Sequence, residues 1–234
     1  MFSLKSEYPK YYSYQGRKIS KKISLSQKNI INKFYDQYSF DDLIVQYHNN
    51  KNSEKKLTLP KNFQKVNVEI GFGNGEFLLK NAISNPEELF IGIEVYINGI
   101  AKVLKAILNL QIKNIILCNL NSLYFLEAMP YKSVDKIFII NPDPWIKKRH
   151  KKRRFISIKT VRLLSKIIKS KNSIFMTTDS ESFLKDTEDL LSKHKEIFGD
   201  CNLNVLSKKD EFYGISKYQR KAIENGGKIY LLVF

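Results

Sequence analysis

From residue 66 onward, short continuous apolar runs alternate with longer stretches in which apolar residues recur at every third or fourth position. Val66–Ile70, Leu89–Glu94, Asn114–Cys118, Val134–Ile140 and Ser173–Thr177 have the length and composition of buried strands. Between them, Glu76–Ile83, Ile97–Leu110, Phe155–Lys169 and Ser182–His194 read as helices, the third with an apolar stripe of Ile158, Val161, Leu164 and Ile168. Val205 and Lys228–Phe234 supply late strands. The alternation predicts an α/β fold, a central mostly parallel sheet with helices on both faces, whose ligands sit at the carboxyl ends of the strands. By itself that architecture names no function.

The first sixty residues lack this rhythm. Residues 1–23 are rich in Lys, Tyr and Ser, and read as a basic arm carrying Lys5, Lys10, Arg17, Lys18, Lys21 and Lys22, or equally as a plain solvated tail. Ile30, Ile31 and Phe34 suggest a short helix with Ser26 as its N-cap. Asn49–Lys61 has the composition of a linker.

Charge narrows the choice of partners. The 234-residue chain carries a formal net charge of +17, with 43% hydrophobic residues to build a core. Such a surplus favours polyanions, because each neutralised phosphate releases condensed counterions. Nucleic acid is the first expectation and an anionic membrane surface the second. Five of the six arginines lie in the second half, three of them in Arg149–Arg154. Cys118 and Cys201 stand far apart with no Cys/His cluster, so no metal site and no disulfide framework are expected. No apolar run has the length of a signal peptide or a membrane span, so a cytoplasmic protein with no membrane contact is expected.

Two stretches carry chemistry. The first, Glu69-Ile-Gly71-Phe-Gly73-Asn-Gly75-Glu76, is a strand-to-helix turn whose glycines allow positive φ and close approach of a ligand to the backbone. Glu94 ends the next strand, where an acid accepts ribose hydroxyls. Dinucleotides place a pyrophosphate on such a helix N-terminus. Glu69 and Glu76 would repel it, whereas they suit a cation. S-adenosyl-L-methionine carries a sulfonium and an α-ammonium group and no phosphate, so the charges favour a methyltransferase over a dehydrogenase.

The second stretch, Ile137–Arg154, runs from an apolar strand into Asn141-Pro142-Asp143-Pro144-Trp145 and then a block of seven Lys/Arg with His150. The prolines hold Asp143 in one orientation. Trp145, the protein's only tryptophan, offers a base-stacking face or a lid over the core. The fourth strand is expected to end beside the cofactor, with Asn141–Trp145 toward the transferred methyl.

Together with Gly92-Ile-Glu94 and Thr178-Asp179, these stretches resemble the tRNA (guanine-N7)-methyltransferase family, over a span from about Gly16 to the C-terminus. The Pro-Asp-Pro-Trp turn with its basic block is the most specific part. The resemblance implies a Rossmann-like class I methyltransferase at 61–234, preceded at 1–60 by a basic arm with a short helix and linker, which methylates a guanine in the tRNA variable loop. It implies that Glu69, Gly71, Gly73, Gly75, Glu94, Asn121 and Asp143 bind S-adenosyl-L-methionine, and that Asp143 is catalytic. Lys147, Asp179, Ser216, Lys217, Tyr218 and Gln219 match substrate-binding positions. Lys148, Arg149, Lys151, Lys152, Arg153 and Arg154 would contact tRNA phosphates. Either a monomer or a weak homodimer is expected. Two positions depart from the family pattern: Asn121 stands where an Asp is usual, and Ser216-Lys217-Tyr218-Gln219 replaces Thr-Lys-Phe-Glu. Two other readings stand beside this one: methylation of an exocyclic base amine, and an RNA-binding protein that kept the fold with weakened catalysis.

Overall fold

Strand β1 (Lys65–Ile70) is followed by helix α3 (Glu76–Ser84), and β2 (Glu88–Ile93) by α4 (Ile97–Leu110), before β3 (Ile115–Cys118) and α5 (Ser122–Ala128). The computed structural model describes residues 22–50 and 56–234. The chain divides into two compact units, the first ending at Pro130 and the second beginning at Tyr131. The basic arm lies outside the described residues, apart from Lys22 and Ile23.

In the first unit the strands pair in parallel in the order β3-β2-β1, with Val68 opposite Ile91 and Ile91 opposite Ile116. Parallel neighbours need a crossover, and α3 and α4 supply it. Two earlier helices belong to this unit: α1 (Leu25–Phe34) and α2 (Asp41–Asn49). Ser24, not Ser26, caps α1, because a capping box forms there: the Ser24 hydroxyl accepts from Gln27 N while the Gln27 amide accepts from Ser24 N. Ile31 and Tyr35 enter one buried cluster with Ile100, Leu104 and Ile107 of α4. Ser39 bridges Leu117, and Phe40 N donates to Leu117 O, so this segment extends the edge of β3. The described end of the expected linker is anchored: Leu57 is buried with its N–H on Ala128 O, and Lys56 Nζ reaches Tyr47 Oη and Glu127 O. One apolar side chain finding a core outweighs a polar composition.

The second unit holds β4 (Lys136–Ile140), α6 (Ile158–Ile167), β5 (Ile174–Thr178), α7 (Glu181–Ser192), α8 (Lys195–Phe198), β6 (Asn202–Val205), α9 (Lys217–Glu224) and β7 (Tyr230–Val233). Its order is β4-β5-β7-β6; β4 and β5 are parallel, and β7 runs antiparallel to both β5 and β6. Helix α6 starts later than its sequence suggests, since Ser157 and Thr160 form a capping box. Phe175 stacks on both Phe138 and Phe212, whose own rings are tilted to each other, with centroids 5.5 to 6.1 Å apart.

Candidate functional site

Two groups of side chains hold the expected chemistry, one in each unit. In the first unit, β1 runs straight into the glycine turn. Gly75 caps α3 with φ of 74°, and a Cβ there would strike Val103, so both backbone and space demand glycine. At Gly73 the opposite holds: an added Cβ would meet nothing within 4 Å, which leaves the backbone open to a ligand.

Glu94 braces this turn. One carboxylate oxygen accepts Gly73 N at 2.7 Å and the other accepts Val95 N and Tyr96 N at 2.8 and 2.9 Å. Glu69 is almost wholly buried and accepts the Leu78 N–H in the first turn of α3, while its Oε2 is buried without a partner among the described residues. Burial, and then the neighbouring Glu94 carboxylate, push Glu69 up to about 8. A buried acid with an unpartnered oxygen is poised for a cation or a donor.

Asn121 caps α5, its side-chain oxygen accepting Leu123 N at 2.9 Å. Sequence reading missed its neighbour Asn119, whose Nδ2 donates to Glu94 O at 2.7 Å. Asn119 N in turn donates to the Asp41 carboxylate, which also accepts the Tyr35 hydroxyl at 2.9 Å. Burial raises Asp41 to about 6. No local signal marks this network, because its partners lie 78 residues apart.

In the second unit β4 is followed directly by Asn141, which takes φ of 47°. Asn141 N donates to Thr177 O, and the Thr177 hydroxyl donates to Asn141 Oδ1 at 2.8 Å. Gln219 Nε2 donates to Thr177 Oγ1 at 3.2 Å, and Gln219 Oε1 accepts Ile215 N and Ser216 N at 2.9 and 3.2 Å. Gln219, expected to touch substrate, is fully buried and engaged at both ends of its amide. Ser216 likewise caps α9, accepting Gln219 N. On the same helix Lys217 and Tyr218 are exposed, Tyr218 by 74%.

Beyond Asn141 the chain turns through Pro142–Trp145. Asp143 is exposed and its carboxylate has no partner among the described residues. Trp145 is half-buried at φ of 41°, with the Arg153 guanidinium 5.0 Å from its ring centre and the edge of His150 beside it. Lys147, Lys148, Arg149, Lys152 and Asp179 are exposed, and Lys151 Nζ pairs with Asp186 at 2.6 Å. Arg154, grouped above with the phosphate-binding cations, is instead turned inward and only 8% exposed. Among the described residues no group of three or more His, Cys, Asp and Glu side chains is placed to hold a metal ion. None of their helices is long and apolar enough to cross a membrane.

Comparison with known proteins gives this arrangement a family. A family model described as a putative methyltransferase matches residues 63–232. The bifunctional methyltransferase of Rickettsia conorii is 36% identical over 209 residues, covering 89% of this chain and 37% of that protein, so the chain spans well under half the length of this relative. The tRNA (guanine-N(7)-)-methyltransferase of Wolbachia pipientis wMel is 35% identical over 191 residues, 80% of this chain and 83% of that one. A solved 16S rRNA methyltransferase shares the fold at a TM-score of 0.54 and 15% identity, covering 74% of this chain and 88% of its own. The glycine turn, its paired acids, the proline-framed aspartate and these likenesses agree, and the chain belongs to the tRNA (guanine-N7-)-methyltransferase family.

Proposed function

We propose that this chain transfers a methyl group from S-adenosyl-L-methionine to N7 of a guanine in the variable loop of tRNA. The observation that carries the reading is Asp143: an exposed carboxylate, without a partner among the described residues, held between two prolines, while Asn141 beside it is pinned by Thr177.

The first unit fits the methyl donor. Glu69 offers a buried, unpartnered oxygen for a cationic group, and the backbone at Gly73 is open to approach. The carboxyl groups of Glu69 and Glu94 stand at the turn, which suits a ligand without phosphate. Glu94 braces the turn with backbone bonds, and carboxylate oxygens can accept further bonds from ribose hydroxyls. When bound, S-adenosyl-L-methionine supplies a methyl group made electrophilic by its sulfonium.

Guanine N7 carries an in-plane lone pair, so no proton leaves before attack. What the protein contributes is alignment, worth several kcal/mol in a well-held geometry. The purine becomes positively charged as the bond forms, and Asp143 stabilises that charge and orients the base. Tyr218 offers a stacking face, and Lys148, Arg149 and Lys152 offer exposed cations for phosphates. The reading as an RNA-binding protein with weakened catalysis rested on Asn121 and Gln219; Asn121 caps a helix and Gln219 lies wholly inside, so each departure has a packing role in this chain.

The test is transfer of labelled methyl to unmodified tRNA, followed by chain cleavage at N7-methylguanine. Label confined to one variable-loop guanine, with loss in Asp143→Asn, supports the proposal. Label on an exocyclic amine would favour the alternative chemistry.

A further inference from the structure

The basic block after Trp145 looks uniform in sequence, yet the structure splits it. Six of its seven Lys/Arg point outward or lie partly open, whereas the Arg154 side chain is only 5% exposed. Its guanidinium is occupied on every side. Nε donates to Pro144 O at 2.6 Å, Nη1 pairs with the Asp186 carboxylate, and Nη2 lies 3.4 Å from Ser182 Oγ. Its Cζ lies over the Phe183 ring, 5.0 Å from the ring centre. Asp186, Ser182 and Phe183 all belong to α7.

Pro144 is the residue between Asp143 and Trp145. Proline fixes φ but leaves ψ open, so the two prolines alone do not set the direction in which the turn leaves. Trp145 then adopts a left-handed backbone that a large side chain rarely takes, and something outside the turn must hold it there. The Nε bond to the Pro144 carbonyl does so. Asp186, kept ionised by Lys151 and then by Arg154, fixes the other end of the same guanidinium. The planar fork matters, since one group must serve a carbonyl and a carboxylate in different directions.

We propose that Arg154 is a positioning residue that clamps the Asp143–Trp145 turn to α7, with Asp186 as its orienting partner, and that it is not a phosphate contact. Its consequence for catalysis rests on the function proposed above, but the clamp itself does not. Trp145, as the only tryptophan, reports on the turn in the free protein.

The experiment compares Arg154→Gln, Arg154→Lys, Asp186→Asn and Arg149→Gln by acrylamide quenching and anisotropy of tryptophan fluorescence, by the salt dependence of tRNA binding, and by methyl-transfer kinetics. Arg154→Gln is expected to raise the quenching constant at least twofold, lower the anisotropy and cut kcat tenfold or more, with the slope of log K against log[salt] unchanged. Arg154→Lys keeps the charge but not the fork, and is expected to restore neither fluorescence nor kcat. Arg149→Gln should leave fluorescence unchanged and flatten the salt slope by about 0.7–0.9. Should Arg154→Gln fail to fold, Asp186→Asn still loosens the turn and raises quenching. Wild-type quenching in both Arg154→Gln and Asp186→Asn overturns the clamp, as does rescue of kcat by Arg154→Lys with a flattened salt slope in Arg154→Gln. If the wild-type protein methylates no tRNA, the functional proposal fails, while the fluorescence still decides the clamp.

Discussion

Cofactor binding is expected to depend on pH through Glu69. Burial and the neighbouring Glu94 hold this carboxyl at about 8, so the unliganded protein carries it protonated at neutral pH. A cationic ligand is attracted only to the ionised form. One unit below the pKa about 10% of the molecules are ionised, and two units below about 1%, each unit costing about 1.4 kcal/mol. The Kd for S-adenosyl-L-methionine should therefore fall about tenfold from pH 6 to pH 7, a window in which an ordinary α-ammonium, with a pKa near 8, stays charged. Calorimetry at pH 7 in buffers of different ionisation enthalpy should show about 0.9 proton released per ligand bound, the ionised tenth being ready already. Glu69→Gln should bind more weakly at pH 7, with a flat pH profile and no proton release. S-adenosylhomocysteine lacks the sulfonium, so an equal slope with it places the ammonium at Glu69, and loss of the slope places the sulfonium there. A constant wild-type Kd across pH 6 to 7, with no proton release, would refute the reasoning. The same shift has a sign for stability. The folded-state pKa lies above the ordinary 4.5, so the unliganded protein loses stability as pH rises from about 4.5 to about 8, by up to ~5 kcal/mol.

If Asp143 has the role proposed for it, Asp143→Asn should lower kcat by about 10²-fold or more with little change in tRNA Kd, by removing charge stabilisation realised in the transition state. Single-turnover transfer with saturating tRNA measures it, and a wild-type rate would sink the assignment. Gly75→Ala forces a side chain into a left-handed backbone and against Val103, and is expected to cost roughly 2–4 kcal/mol, read as a fall in Tm. Gln219→Ala strips partners from Thr177, Ile215 N and Ser216 N, and should cost about 2–3 kcal/mol while leaving the salt slope of tRNA binding unchanged; a flatter slope with full stability would return Gln219 to the RNA surface. Asp41→Ala removes one acceptor shared by the Tyr35 hydroxyl and Asn119 N, and a denaturant melt should show a loss of about 2 kcal/mol or more.

Much of this protein was legible in the sequence because its signals are local. The apolar runs mark β1 to β5, and Ile97–Leu110 matches α4 to the residue, since one amphipathic face leaves a period that needs no partner to be read. The glycine turn and its acids, and the prolines around Asp143, were visible for the same reason: backbone conformation and charge are carried by neighbours in the chain. The tertiary structure decided what depends on distant partners. Ser24 displaced Ser26 as a cap only once Gln27 closed the box. Asn119 joined the bracing of Glu94 because Asp41 holds its backbone from 78 residues away. Gln219 has the chemistry of a base reader, and burial against Thr177 made it a strut. Arg154 is one of seven cations in sequence, and its inward turn toward Pro144 and Asp186 sets it apart from the rest. Composition gives the charge of a side chain; only packing decides whether that charge meets solvent, a phosphate or the protein's own carboxylate.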